Sequence, residues 1–180
     1  MNYNELFSQV VHRSKASAIR ELLKVIARPD IISFAGGLPD PELFPTKDVS
    51  AIMQDVLEKS PKAALQYGTT EGFLALRQEL AKLLKETEGI TATPDQLVMV
   101  SASQQALDMT ARLFVNPNDP IITACPTYLG ALQAFHVAGA HIIGAASDDY
   151  GILAEDLEAK LAQLKAAGKT CKFIYLVPDF

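Results

Sequence analysis

The chain has 180 residues, with 16 Lys and Arg against 21 Asp and Glu, giving a net charge of −5. That length suits one domain, or one domain with an appendage, and a composition 49% hydrophobic and 21% charged is that of a globular chain, not a disordered one. The acidic balance argues against nucleic acid or an anionic membrane surface as partner, no apolar run approaches the roughly 18 residues of a membrane span, and the opening MNYNELFSQVVHR is no signal peptide.

In chain order, residues 5–27 have a helical pattern stopped by Pro29. The Gly- and Pro-dense IISFAGGLPDPELFP follows as an irregular extended segment. Thr46 is a candidate cap for a helix reaching about residue 58, with Asp48 in its first turn. The loop QYGTTEG leads into a helix over about 72–87, where Phe73, Leu76, Leu80, Leu83 and Leu84 fall at helical spacing and Gly89 is the stop. Beyond Gln96 the rhythm changes: LVMVSAS, PIITACP, HIIGAAS and KFIYLVPDF alternate with QQALDMTARLFV, YLGALQAFHVAG and AEDLEAKLAQLKAAG. Continuous apolar strands separated by helices predict right-handed βαβ units in a three-layer α/β/α arrangement, with a mostly parallel sheet covered on both faces and an N-terminal helical arm. Cys125 and Cys171, without C-x-x-C spacing, are expected as small core residues in a reducing cytoplasm. Because the last strand has no following helix to cover it, the chain reads as the front part of something larger.

Ligands of an open parallel sheet bind beyond the carboxyl ends of its strands. Three segments should converge there, at residues 101–105, 125–129 and 177–180. In Ser101-Ala102-Ser103-Gln104-Gln105 a strand runs directly into a helix, and free amides with serine hydroxyls make an anion site; Ser103 also reads as a plain helix cap. Tyr128 suits a ring laid over an aromatic ligand, or simple packing at a helix start. Tyr67, in a Gly-rich loop, offers a hydroxyl to a phosphate or is just a loop aromatic, and Arg20 pairs a carboxylate or is a solvated surface charge. His12, His136 and His141 lack metal-ligand spacing, and GGLPDP is neither a G-x-G-x-x-G nor a Walker loop.

Taken in order, SFAGGLPDPELFP, LQYGTTEGFLALRQEL, SASQQALDMTARLF and PTYLGALQAF closely resemble pyridoxal-phosphate-dependent aminotransferases of fold type I. The nearest resemblance is to the class I/II branch that holds 2-aminoadipate (kynurenine) and broad-specificity enzymes, and it covers essentially the whole chain as the front part of such an enzyme. It implies a cofactor phosphate held at Ala102, Ser103 and Gln104, with the Tyr128 ring stacked on the pyridine ring. It further implies that the Tyr67 hydroxyl reaches the phosphate in the other subunit of a homodimer, while Gly37 and Arg20 line the substrate side. Residues 1–45 would be the arm and substrate-side loop, and 46–180 the first part of the cofactor-binding domain.

Three departures are visible. Ala102 stands where the family usually has Gly, Asn116-Pro117-Asn118-Asp119 where it has Asn-Pro-Gly-Asp, and Pro178-Asp179-Phe180 where it has Pro-Asn-Phe. The Asn-Pro-Thr-Gly motif, the pyridinium-pairing Asp, the Schiff-base Lys and the Arg for the α-carboxylate are not found, and Lys160, Lys165, Lys169 and Lys172 belong to a helix and its exit. The expectation is therefore a cytoplasmic transaminase, moving an amino group from an amino acid to a 2-oxo acid, represented by an N-terminal portion inactive alone. The rivals are another fold-type-I activity, such as a lyase or decarboxylase, and a non-catalytic phosphate-binding or dimerisation module.

Overall fold

Pro, Gly and apolar spacing set most helix boundaries in the computed structural model, which describes residues 3–13 and 39–178. Two compact units divide the chain, one of Ala16–Met99 and one of Met1–Lys15 with Val100–Phe180. The helix expected over 5–27 does not run unbroken. A 3-10 turn at Tyr3–Leu6 is followed by α1, Gln9–Arg13, because the Ser8 carbonyl accepts the amides of Val11 (3.0 Å) and His12 (3.4 Å) and restarts the chain there. Residues 14–38, which include Arg20 and Gly37, lie outside the described residues.

In the Ala16–Met99 unit, the Asp40 carboxylate accepts the Glu42 amide at 3.0 Å and opens a 3-10 turn, Pro41–Leu43. Helix α2 spans Thr46–Lys59, with Asp48 in its first turn and Lys59 in its last, each sign suited to the dipole end it occupies. Pro45 holds the cap position without a side-chain bond, so Thr46 begins the helix instead of capping it. The short α3, Pro61–Leu65, starts on a proline whose missing N–H would have had no partner there. Helix α4, Leu74–Glu88, ends at Gly89 in the left-handed region (φ 69°), where the Ile90 amide returns to the Leu84 carbonyl at 3.1 Å. Among the described residues of this unit Arg77 is the buried cation. Its Nε donates to the Gly72 carbonyl (3.2 Å) and its Nη1 to the Pro94 carbonyl (2.7 Å), tying the start of α4 to the 3-10 turn Pro94–Gln96.

The strand expected at 97–103 is a correction. Residues 97–100 join no ladder among the described residues, where the Met99 N–H donates to the Glu71 carbonyl at 2.9 Å. An apolar run becomes a strand only when a neighbour takes its amides and carbonyls, and composition cannot supply the neighbour.

In the other unit, α5 (Ala102–Phe114), β1 (Pro120–Cys125), α6 (Leu129–Ala138), β2 (His141–Asp148), β3 (Gly151–Ile152), α7 (Ala154–Ala166) and β4 (Ile174–Tyr175) follow in order. The sheet order is β3-β2-β1-β4. Strand β1 is parallel to β2, with Ile121 opposite Ile142, and parallel to β4, with Ile122 opposite Ile174. The two-residue β3, unforeseen in the sequence, turns back antiparallel on β2.

Alternation along β1 builds the layers. Ile121 faces α5 and α6, in a core with Ala111, Val115, Ala131, Ala134 and Phe135. Ile122 points the other way, to Ala145 and Leu164 of α7. Phe173 and Tyr175 meet the Phe135 ring edge-on at 5.2 and 5.4 Å. The three-layer α/β/α arrangement is thus present, with its central strand buried on both faces. Asn118 takes φ 70° in the turn before β1, a conformation asparagine tolerates in place of glycine. Of the two thiols expected in the core, Cys171 is half-buried, whereas Cys125 is exposed because it ends β1 beyond the cover of the helices. No helix among the described residues is long and apolar enough to cross a membrane.

Candidate functional site

The parallel strands carry their connections to the carboxyl end of the sheet, where β1 hands the chain to α6. The entry to α5 is a tight turn. Ser101 (φ −83°, ψ 86°) bends the chain so that the Ala102 amide reaches the Val100 carbonyl at 3.1 Å, the geometry of an inverse γ-turn. Ala102 then takes φ 64°, in the left-handed region, immediately before right-handed helix. That reversal of hand turns successive amides toward one concavity that favours an anion.

The amides of Ser103 and Gln104, in the first turn, have no backbone acceptor among the described residues. The Gln105 side chain takes the Ser101 amide and braces the turn from behind. Ser103 is not the helix cap, since the helix opens one residue earlier with Ser101 in that position and no side-chain cap bond. Ser103 is an exposed residue.

Tyr128 occupies the cap position of α6 and is 48% exposed. Its ring folds forward over Gly130, so that a Cβ built there would lie 2.6 Å from the ring's Cε1 and Cζ and 2.7 Å from its oxygen. Gln104 joins the two turns, its Nε2 donating to the Gly130 carbonyl at 3.2 Å. Of the three segments expected to converge, the one at 101–105 is bonded to Gly130, the residue directly after 125–129, while 179–180 of the third lie outside the described residues. Tyr175 lies close enough to Tyr128 to feel it, for burial first and the neighbouring phenol second push the Tyr175 hydroxyl above its ordinary pKa. The Thr127 hydroxyl, between Pro126 and Tyr128, is buried with no hydrogen-bond partner among the described residues.

Tyr67 belongs to the Ala16–Met99 unit and is 99% exposed, its backbone N–H donating to the Gln66 Oε1 at 2.8 Å. Arg20 and Gly37 fall outside the described residues. Lys172 sits at the opposite end of the sheet. Its amide donates to the Pro120 carbonyl (2.9 Å) and its Nζ pairs with Asp119 (3.3 Å), at the start of β1, not its carboxyl end. The sequence reading did not single out Gly130, Gln105 or Tyr175. A glycine two residues after an aromatic helix cap was the available signal for the first, while the other two emerge only from the packing.

The residues present suit a phosphorylated aromatic ligand. One turn offers unpaired amides and hydroxyls, and the adjoining one a flat ring in a notch that any side chain at 130 would fill. No charged residue lies in 101–105 or 125–130 to oppose an anion.

The family description "Aminotransferase class I and II" matches residues 30–177. The chain is 44% identical over 180 residues to the aromatic-amino-acid aminotransferase 1 of Thermococcus litoralis, covering all of this chain and 43% of that protein. It is 37% identical to the 2-aminoadipate transaminase of Thermus thermophilus, again across the whole chain and 43% of the relative. Among solved structures, the kynurenine aminotransferase of Pyrococcus horikoshii, in complex with PMP, superposes with a TM-score of 0.87 at 44% identity, over 97% of this chain and 43% of that one. The chain thus spans less than half the length of these relatives. The four motifs in register and the three-layer frame agree with a match across 148 of its residues (30–177), and the chain belongs to the aminotransferase class I and II family.

Proposed function

We propose that this chain supplies the phosphate turn and ring platform for pyridoxal 5′-phosphate in a transaminase that moves amino groups from an amino acid to a 2-oxo acid. The observation that carries this reading is the Gln104–Gly130 bond, which joins the turn of unpaired amides to the turn bearing Tyr128. The chemistry the cofactor supplies when bound is an electron sink and a carrier for the amino group. The backbone at Ala102, Ser103 and Gln104 holds its phosphate, the Ser103 hydroxyl adds a donor, and the Tyr128 ring lies along its aromatic face, excluding water from one side. Gly37 and Arg20 serve the substrate side, in an arm of residues 1–45, while 46–180 contribute to the cofactor-binding domain.

A homodimer completes the reading. The hydroxyl of Tyr67 reaches the phosphate of the second copy, in keeping with its full exposure. Leu43, Phe44, Ile52 and Met53 are 51 to 79% exposed, an apolar surface of the kind that marks association.

The test is titration of the chain with pyridoxamine 5′-phosphate, followed by ligand fluorescence and 31P NMR. That probe has no aldehyde and so forms no stray adducts with surface lysines. Saturable binding, weakened at least tenfold by Ser103→Asp, which sets a carboxylate against the phosphate, is the expected result. Binding indifferent to that substitution would overturn the assignment of the turn.

A further inference from the structure

Gly130 enters the reading above only through its carbonyl, yet the Tyr128 ring also lies over the place where its side chain would be. The ring's Cε1, Cζ and oxygen all fall 2.6–2.7 Å from where a Cβ on residue 130 would be, closer than any real Cβ contact. Every side chain at 130 would therefore evict the ring. Its φ is not left-handed, so the need for glycine at this position is not a backbone need. The fold itself would tolerate a methyl group, because the obstructing atoms belong to the far end of a side chain that is 48% exposed and free to swing into solvent. Glycine here governs where the ring sits, not whether the helix forms.

The carbonyl of the same residue receives the Gln104 side chain at 3.2 Å. Gly130 thus contacts the ring through its Cα and the phosphate turn through its oxygen.

We infer that Gly130 is a positioning residue. The space left by its missing side chain sets the Tyr128 ring in register with the turn at Ser103 and Gln104, so that one phosphorylated aromatic ligand engages both. The inference rests on the proposed role of Tyr128 as the ring platform. It assigns selectivity to the pair: with the ring held down on Gly130, the platform admits a flat ring carrying a phosphate at the distance between the two turns, and inorganic phosphate alone gains nothing from it. Loss of Gly130 should weaken the aromatic phosphate while sparing the simple anion.

The experiment compares the chain with Gly130→Ala, Tyr128→Ala and the double variant. It measures pyridoxamine 5′-phosphate affinity by fluorescence, inorganic phosphate affinity by 31P NMR, thermal midpoint, and nuclear Overhauser contacts of a 13C-labelled Tyr128 ring without ligand. Gly130→Ala should abolish the contacts between the Tyr128 ring and the residue 130 α-proton. It should weaken pyridoxamine phosphate about fivefold, the scale of one stacked aromatic pair, and leave phosphate affinity and midpoint nearly unchanged. In the Tyr128→Ala background it should add no further loss. An unmoved ring in Gly130→Ala, or an equal loss with and without the Tyr128 ring, overturns the inference. Unchanged affinity in Tyr128→Ala alone overturns instead the platform reading on which it rests, and the ring contacts tell the two failures apart.

Discussion

Replacing Ala102 by glycine should stabilise this protein, which is the reverse of the usual effect of Ala→Gly near a helix. Ala102 has φ 64°, where an L-residue's Cβ crowds the carbonyl oxygen at a cost of about 1–2 kcal/mol. Glycine removes that cost, but its extra freedom in the unfolded chain gives back about 0.5–1 kcal/mol. The balance favours Ala102→Gly by about 0.5–1 kcal/mol, or about 1–4 °C in thermal midpoint for a chain of this length. Ala102→Val is the counterpart, since a β-branched residue at positive φ is a true outlier and should lower stability by about 1 kcal/mol or more. Urea unfolding with an unchanged slope separates these outcomes from a shift in the unfolded state. If glycine lowers the midpoint and valine leaves it alone, residue 102 is not left-handed, and the anion-binding geometry built on it fails with it.

Other expectations follow from the same structure. The Asp119 carboxylate accepts the Asn116 amide at 2.8 Å and pairs with Lys172 at 3.3 Å, and the Asn116 bond foremost holds its pKa below the ordinary 3.8. A carboxylate whose pKa is lowered on folding stabilises above its unfolded value and loses that contribution as pH falls through the folded one. The gap in urea midpoint between the chain and Asp119→Ala should therefore be full near neutrality and close below pH 3.8, whereas a gap constant down to pH 2 would refute the assignment. Arg77→Met removes two charge-assisted hydrogen bonds, to carbonyls that keep the Thr69 hydroxyl and the Leu97 amide as donors, and should cost about 2 kcal/mol in unfolding free energy, a neutral result refuting the clasp. Ile52→Lys, on the exposed stripe of α2, should reduce self-association in sedimentation without lowering the thermal midpoint, and a strictly monomeric parent chain would count against the dimer. The chain alone should not transaminate an amino acid with 2-oxoglutarate. Borohydride reduction with pyridoxal phosphate should label no single lysine stoichiometrically, since Lys172 is at the wrong end of β1 and Lys160 pairs with Asp156 on α7.

Much of this protein was legible in its sequence. Helices α2, α4, α5, α6 and α7 follow local signals, apolar residues at helical spacing with Gly89 closing α4 and Gly139 closing α6, because a helix satisfies its own backbone within the segment. Strands β1 and β2 were legible for a related reason. Runs such as PIITAC, apolar but for Thr123, suit a strand covered on both faces, and Ile121 and Ile122 divide between those faces. The turn at 101–105 and Tyr128 could be singled out as candidates from residue types in a motif order. What only the tertiary structure decided depends on partners that no local pattern names. The LVMV run has the composition of a strand but finds no neighbour among the described residues, while Gly151–Ile152 forms one because Ser147 and Asp148 lie beside it. The left-handed turn at Ala102 defies the preference of its residue and is held by surrounding bonds. The notch at Gly130 exists only because the chain brings a ring over it and an amide from Gln104 to its carbonyl, 26 residues away in sequence. Local rules choose elements because their hydrogen bonds close locally; a site is made of contacts between elements, and those are settled only when the elements pack.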